Sequence, residues 1–205
     1  LLGQKVKLTD SKSIRVSPLV LPPTGGDIDG DTMALFAPLS DDAKQEAISI
    51  LPSNRPMSDA TGDVMFKPTN EAALSLYRMS IPRGASKTSY ATLGEAEKAF
   101  KANKLDLNHK VTIGKDTTTL GRARIAKTLP ARFRKEILTK LDAPFDRKWQ
   151  DRVLKDTAVN NSAQFKDTAN QLSRLGFEMA YDSGHTVTLS DIEPLRRKRD
   201  AVLAK

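Results

Sequence analysis

The chain has 205 residues and 39% hydrophobic content, enough for one or two modest cores, and its lack of cysteine excludes a disulfide framework and thiolate metal sites. Two histidines leave little material for a histidine-rich zinc site or a Ser-His-Asp triad. No apolar run approaches the roughly 18 residues of a membrane span, no signal-peptide pattern is visible, and most of the formal charge of +8 falls in one window of the chain.

In chain order, residues 13–21 and 33–37 are rich in Val, Ile and Leu, are bounded by Pro and Gly, and are predicted as short strands. Between them lies Asp27-Ile28-Asp29-Gly30-Asp31. On extended backbone every second residue leaves the same face, and Gly30 permits a bend that a Cβ would resist, so three carboxylates can converge on one point. Mg²⁺ takes such oxygens, keeps several waters and shares its shell with substrate phosphates. An EF-hand reading fails, because its glycine position is Thr32 and its closing glutamate position is Pro38. A solvated polar turn is the other reading, since Asp and Gly are common turn residues. The flanks favour a cation: three like charges pressed between apolar strands repel one another and lose hydration.

Ser40 is predicted to cap a helix over 41–50 that Pro52 closes, followed by a loop over 52–63. A second helix is expected over 69–79 with Leu74, Leu76 and Tyr77 partly buried, then a mobile linker over 80–91. Thr92 and Glu95 form a capping-box pattern opening a helix to 102, and strands follow around Val111 and Ile113 and over 117–120. Residues 120–155 carry eleven Lys or Arg against four acids. Arg122, Arg124, Arg132 and Arg134 open this window as candidate nucleic-acid contacts. A solvated face, or a surface for acidic partner subunits, reads equally well, since no aromatic row supports a single-strand platform. Trp149 reads as a core or interface anchor. From Ser162 a helix places Phe165, Ala169, Leu172 and Gly176 on one stripe. Residues 181–184 turn the chain, Val187 and Leu189 suggest a strand, and Ser190-x-x-Glu193 could open a helix carrying Arg196, Arg197, Lys198 and Arg199. The fold class expected from this succession is α+β.

The stretch 26–40 closely resembles the catalytic signature of the largest, β′-type subunit of multisubunit DNA-dependent RNA polymerases. Lys12-Ser13-Ile14-Arg15-Val16-Ser17-Pro18-Leu19-Val20 resembles the segment that precedes that signature in the family. Further collinear matches are Thr118-Thr119-Leu120-Gly121-Arg122, Leu129-Pro130, and Leu175-Gly176-Phe177 with Ala180, Ser183-Gly184 and Asp191-Ile192. Together they run from about residue 12 to 195. Gly25-Gly26 replaces the family's Asn-Ala, removing an amide that in relatives helps read the nucleotide sugar, and Phe36 replaces a histidine. Such drift beside a kept triad suggests a divergent lineage, a large bacteriophage with split polymerase subunits being the expected source.

The resemblance implies part of a double-psi β-barrel over 1–51, barrel-associated helices and a linker over 52–115, and a basic mixed segment over 116–205 leading to a pore-side helix. It implies that Asp27, Asp29 and Asp31 are catalytic and hold Mg²⁺ in a two-metal nucleotidyl transfer from nucleoside triphosphates. The implied partners are a β-type subunit, the remaining β′ segments, the DNA template and the RNA product. The implied location is the cytoplasm of a bacterial or phage-infected cell, or a virion. Two alternatives stay open: a single-chain barrel polymerase, and a scaffold or nucleic-acid-binding module with an inherited site. The chain reads as a piece of something longer, expected to be inactive alone.

Overall fold

The computed structural model describes residues 2–184 together with 186, 188, 189 and 203. The strand expected at Val187 and Leu189 and the helix expected after Ser190 lie outside these residues or depend on ones that do.

The first 40 residues form little regular structure. Ser17 accepts a hydrogen bond from the Leu19 amide and Pro18 opens a 3-10 turn, Pro18–Val20, which leads into a one-turn helix α1, Leu21–Thr24. This replaces the strand expected over 13–21. Ser followed by Pro is a helix-start signal, and Pro18, Pro22 and Pro23 have no N–H to give a ladder. Residues 33–37 likewise form no strand among the described residues, having no neighbouring strand to pair with.

Helix α2, Asp41–Ser49, begins at Ser40 as expected, the Ser40 hydroxyl accepting from the Ala43 amide at 3.2 Å. Helix α3, Asn70–Met79, buries Ala72, Leu76 and Met79 and leaves Leu74 and Tyr77 partly exposed. The expected linker then contains strand β1, Ala85–Tyr90, and helix α4, Leu93–Lys101, follows. Thr92 accepts from the Glu95 amide, while the Glu95 carboxylate accepts from the Ala91 amide. Strand β2, Lys110–Ile113, lies parallel to β1, with α4 as the crossover that a parallel pair requires. It turns through Gly114, φ +63°, into the antiparallel strand β3, Asp116–Thr119. The 115/116 boundary therefore falls inside a hydrogen-bonded hairpin.

Four helices complete the described fold: α5, Leu120–Thr128; α6, Ala131–Thr139; α7, Arg147–Asn160; and α8, Ser162–Ser183. They make the window 120–155 chiefly helical. Phe133 and Ile137 on α6, and Trp149, Val153 and Leu154 on α7, face a core shared with Leu76, Ile125, Phe165 and Leu172. The expected α8 stripe is buried in that core, and Trp149 meets Phe145 edge-on at 5.4 Å. Two glycines allow the backbones to approach. A Cβ at Gly176 of α8 would lie 2.5 Å from the Ala72 carbonyl oxygen of α3. A smaller core holds Ala96, Leu105, Val111 and Leu120 between α4 and the sheet. No described helix is long and apolar enough to cross a membrane. The observed class is α+β, with one three-stranded mixed sheet beside the helices.

Candidate metal centre and basic surface

Asp27, Asp29 and Asp31 all lie on an exposed loop after α1. The loop curls on itself. One Asp31 carboxylate oxygen accepts the Asp27 amide at 3.0 Å, and Asp27 accepts the Ile28 amide at 2.8 Å. Gly25 at φ +66° and Gly30 at φ +116° supply the backbone freedom. The donor chemistry fits Mg²⁺, being three hard carboxylates on a five-residue stretch. Their present positions do not gather them: among the described residues no three Asp, Glu, His or Cys side chains stand close enough to share a metal. The crowding expected from apolar flanks is not seen either: only Leu19 of them is buried, while Ile14 and Val16 before the triplet and Leu35 and Phe36 after it are exposed, Phe36 to 86%.

The four candidate arginines have separate fates. Arg122 is fully buried on α5. Its Nε donates to the Ser80 carbonyl at 2.6 Å, and its two Nη atoms donate to the carbonyls of Ile137, Lys140, Leu141 and Ala143 at 2.7 to 3.3 Å. The guanidinium thereby satisfies carbonyls left open after α3 and α6. Burial lowers its pKa from the ordinary value, and Asp142 partly opposes the shift. A guanidinium with no exposed surface and five carbonyl partners does not face a phosphate, so Arg122 holds the fold together. Arg124 forms a two-pronged pair with Glu97 at 2.6 and 2.8 Å and lies over the Phe100 ring. Arg132 pairs with Asp156 and lies over Phe133. Arg134 is exposed, donating Nε to the Leu129 carbonyl at 2.9 Å, with no acidic partner among the described residues.

Sequence reasoning missed the carbonyl cage around Arg122, although a signal was present. A glycine inside a helix costs stability unless something must come close, and Gly121 directly precedes this arginine.

Comparison with known proteins bears on the aspartate loop first. The family described as RNA polymerase Rpb1, domain 2, matches residues 1–52, which include all three aspartates. The chain is 32% identical over 213 residues to the DNA-directed RNA polymerase subunit β′ of Kineococcus radiotolerans, covering 91% of this chain and 16% of that subunit. With the β′ subunit of Hydrogenobaculum sp. the identity is 33% over 205 residues, covering 94% of this chain and 13% of that subunit. The chain belongs to the β′ family. It spans 16% or less of the length of these curated relatives, as it does for the β′ subunit of Salinibacter ruber at 31% identity and 13% coverage. The β′ similarity reaches well beyond residue 52, so the helices around Arg122 belong to it as much as the aspartate loop.

Proposed function

We propose that this chain is part of the catalytic β′-type subunit of a DNA-directed RNA polymerase, acting in template-directed nucleotidyl transfer only with other segments and subunits. The observation that carries the reading is the match of RNA polymerase Rpb1, domain 2, to residues 1–52, with Asp27, Asp29 and Asp31 inside it. Residues 1–51 would complete a double-psi β-barrel with strands from elsewhere in the assembly. The exposure of Ile14 and Val16, two positions apart, and of Leu35, Phe36 and Leu39 supports this, since such residues favour a buried sheet face. Residues 52–115 would form helices beside the barrel and 116–205 the basic segment toward the pore, the β2–β3 hairpin joining the two.

Asp27, Asp29 and Asp31 would hold one Mg²⁺ once the loop closes. With a second Mg²⁺ brought by the triphosphate, bound metal would supply Lewis acidity for the RNA 3′ hydroxyl and charge neutralisation at the phosphates. The chain's own task is alignment: carboxylates on a glycine-hinged loop fix where the reacting groups meet, and no covalent enzyme intermediate is involved. Gly25-Gly26 offers no side-chain amide to read the nucleotide sugar. DNA and RNA contact in the basic window falls to Arg124 and Arg132, each of which would exchange a carboxylate for a phosphate. The β-type subunit, DNA template, RNA product and nucleoside triphosphates are the proposed partners, in the cytoplasm of a bacterial or phage-infected cell or packaged in a virion.

The test is Mg²⁺-dependent incorporation of labelled ribonucleotides on a DNA template by the complex that copurifies with this chain. It is run beside an Asp27/Asp29/Asp31→Ala version of equal subunit content. Synthesis lost only in the mutant supports the assignment; equal synthesis in both moves catalysis to another subunit and leaves this chain a scaffold.

A further inference from the structure

A cavity of about 200 Å³ opens where the sheet meets the corner between α5 and α6. In β2–β3 pairing, Ile113 stands opposite Asp116, so Ile113, Asp116 and Thr118 share one face of the sheet. That face forms one wall, Ala123 and Ala126 of α5 a second, and Leu93 and Leu138 the sides. Two cations, Lys127 and Arg134, stand at the cavity, and both are exposed. Neither has an acidic partner among the described residues, whereas Arg124 and Arg132 are paired with carboxylates; Arg134 commits its Nε to the Leu129 carbonyl. The Thr118 hydroxyl, buried in the wall, has no hydrogen-bond partner.

We propose that this cavity docks a partner protein through an acidic segment that inserts one apolar side chain. Three observations choose that occupant. The volume is below the roughly 300–1,000 Å³ usual for small-molecule sites and suits a single side chain. The aliphatic lining offers no ring on which a nucleic-acid base could stack. The two unmatched cations complement carboxylates flanking the anchor, while the unpaired Thr118 hydroxyl can bond a backbone group that follows it in. Arg134 thus serves a protein contact rather than the phosphate contact its sequence context suggests.

The test uses the full chain and a short labelled peptide of Asp and Glu around a central Leu, with fluorescence anisotropy as the readout. The same peptide with central Ala, and an oligothymidylate of similar length, are the controls. The expected result is saturable binding that weakens at least about tenfold with central Ala, and by a similar factor in Lys127→Glu/Arg134→Glu. Ala123→Leu, which fills the cavity, should also weaken it; the charge variants alter only exposed side chains and keep the test meaningful if Ala123→Leu fails to fold. Absence of peptide binding at millimolar concentration overturns the proposal. So does equal affinity for the Leu and Ala peptides, or tighter binding of oligothymidylate that the same charge variants abolish.

Discussion

Gly121 sits against the carbonyl oxygen of Met79 so closely that a Cβ there would lie 2.1 Å from it. The contact is backbone on backbone, and it sets how deeply α5 seats on the end of α3. Gly121→Ala must therefore push α5 outward, and it should destabilise the fold by about 3 kcal/mol, at the upper end for overpacking. Urea unfolding of the two proteins checks this: the midpoint should fall with the slope unchanged.

Arg122 depends on that seating, because it reaches five carbonyls only when α5 lies deep. Arg122→Met keeps bulk but takes the guanidinium donors from all five carbonyls, two of them at buried bonds, those of Ser80 and Ile137, and should cost roughly 3–5 kcal/mol or prevent folding. Arg122→Lys should be nearly as damaging, since an ammonium has three donors at one point while the carbonyls surround a plane. Stability of the Lys variant near that of the parent would show that charge alone, and not the fork geometry, holds this corner.

These two residues also mark what the sequence could disclose. Caps at Ser40 and Thr92, the α8 stripe and the β2–β3 alternation are local patterns, and each emerged in place. Helices α6 and α7 were hidden inside a charge count, although Phe133 and Ile137 keep helical spacing and Asp146 caps α7 by accepting from the Trp149 amide. Gly121 signalled a close approach to α5, but the charge pattern gave no sign of where Arg122 points, because a basic residue in a basic window looks the same whether it faces water or five carbonyls. Residues 13–21 misled in the opposite direction. Their Val, Ile and Leu content is real, but a strand exists only with a partner strand, and Ser17-Pro18 starts a turn when none is present.

Glu136 gives a pH signature. Hydrogen bonds from Arg152 and Lys140 hold its carboxyl below the ordinary value, Arg152 contributing most and partial burial opposing them. A carboxylate whose folded pKa is depressed stabilises the fold fully above its unfolded pKa, about 4.3, and loses that contribution as pH falls through the folded value. Glu136→Gln should therefore be less stable than the parent at neutral pH, with the gap closing below about pH 4. Urea midpoints across that range check it; a gap independent of pH would assign the loss to packing.

The aspartates separate stability from chemistry. Asp29 is exposed on a loop outside both cores, so Asp29→Ala should shift unfolding by under about 0.5 kcal/mol. If the loop closes around Mg²⁺ in the assembled polymerase, the same change removes one donor of three. Ribonucleotide incorporation should then fall at least about a hundredfold, the scale for losing one preorganised electrostatic contact at a reacting centre. Raising Mg²⁺ should recover part of the loss if affinity for the ion is what suffered, and none if alignment is. Unchanged incorporation by Asp29→Ala at any Mg²⁺ concentration would leave the loop an ordinary solvated turn.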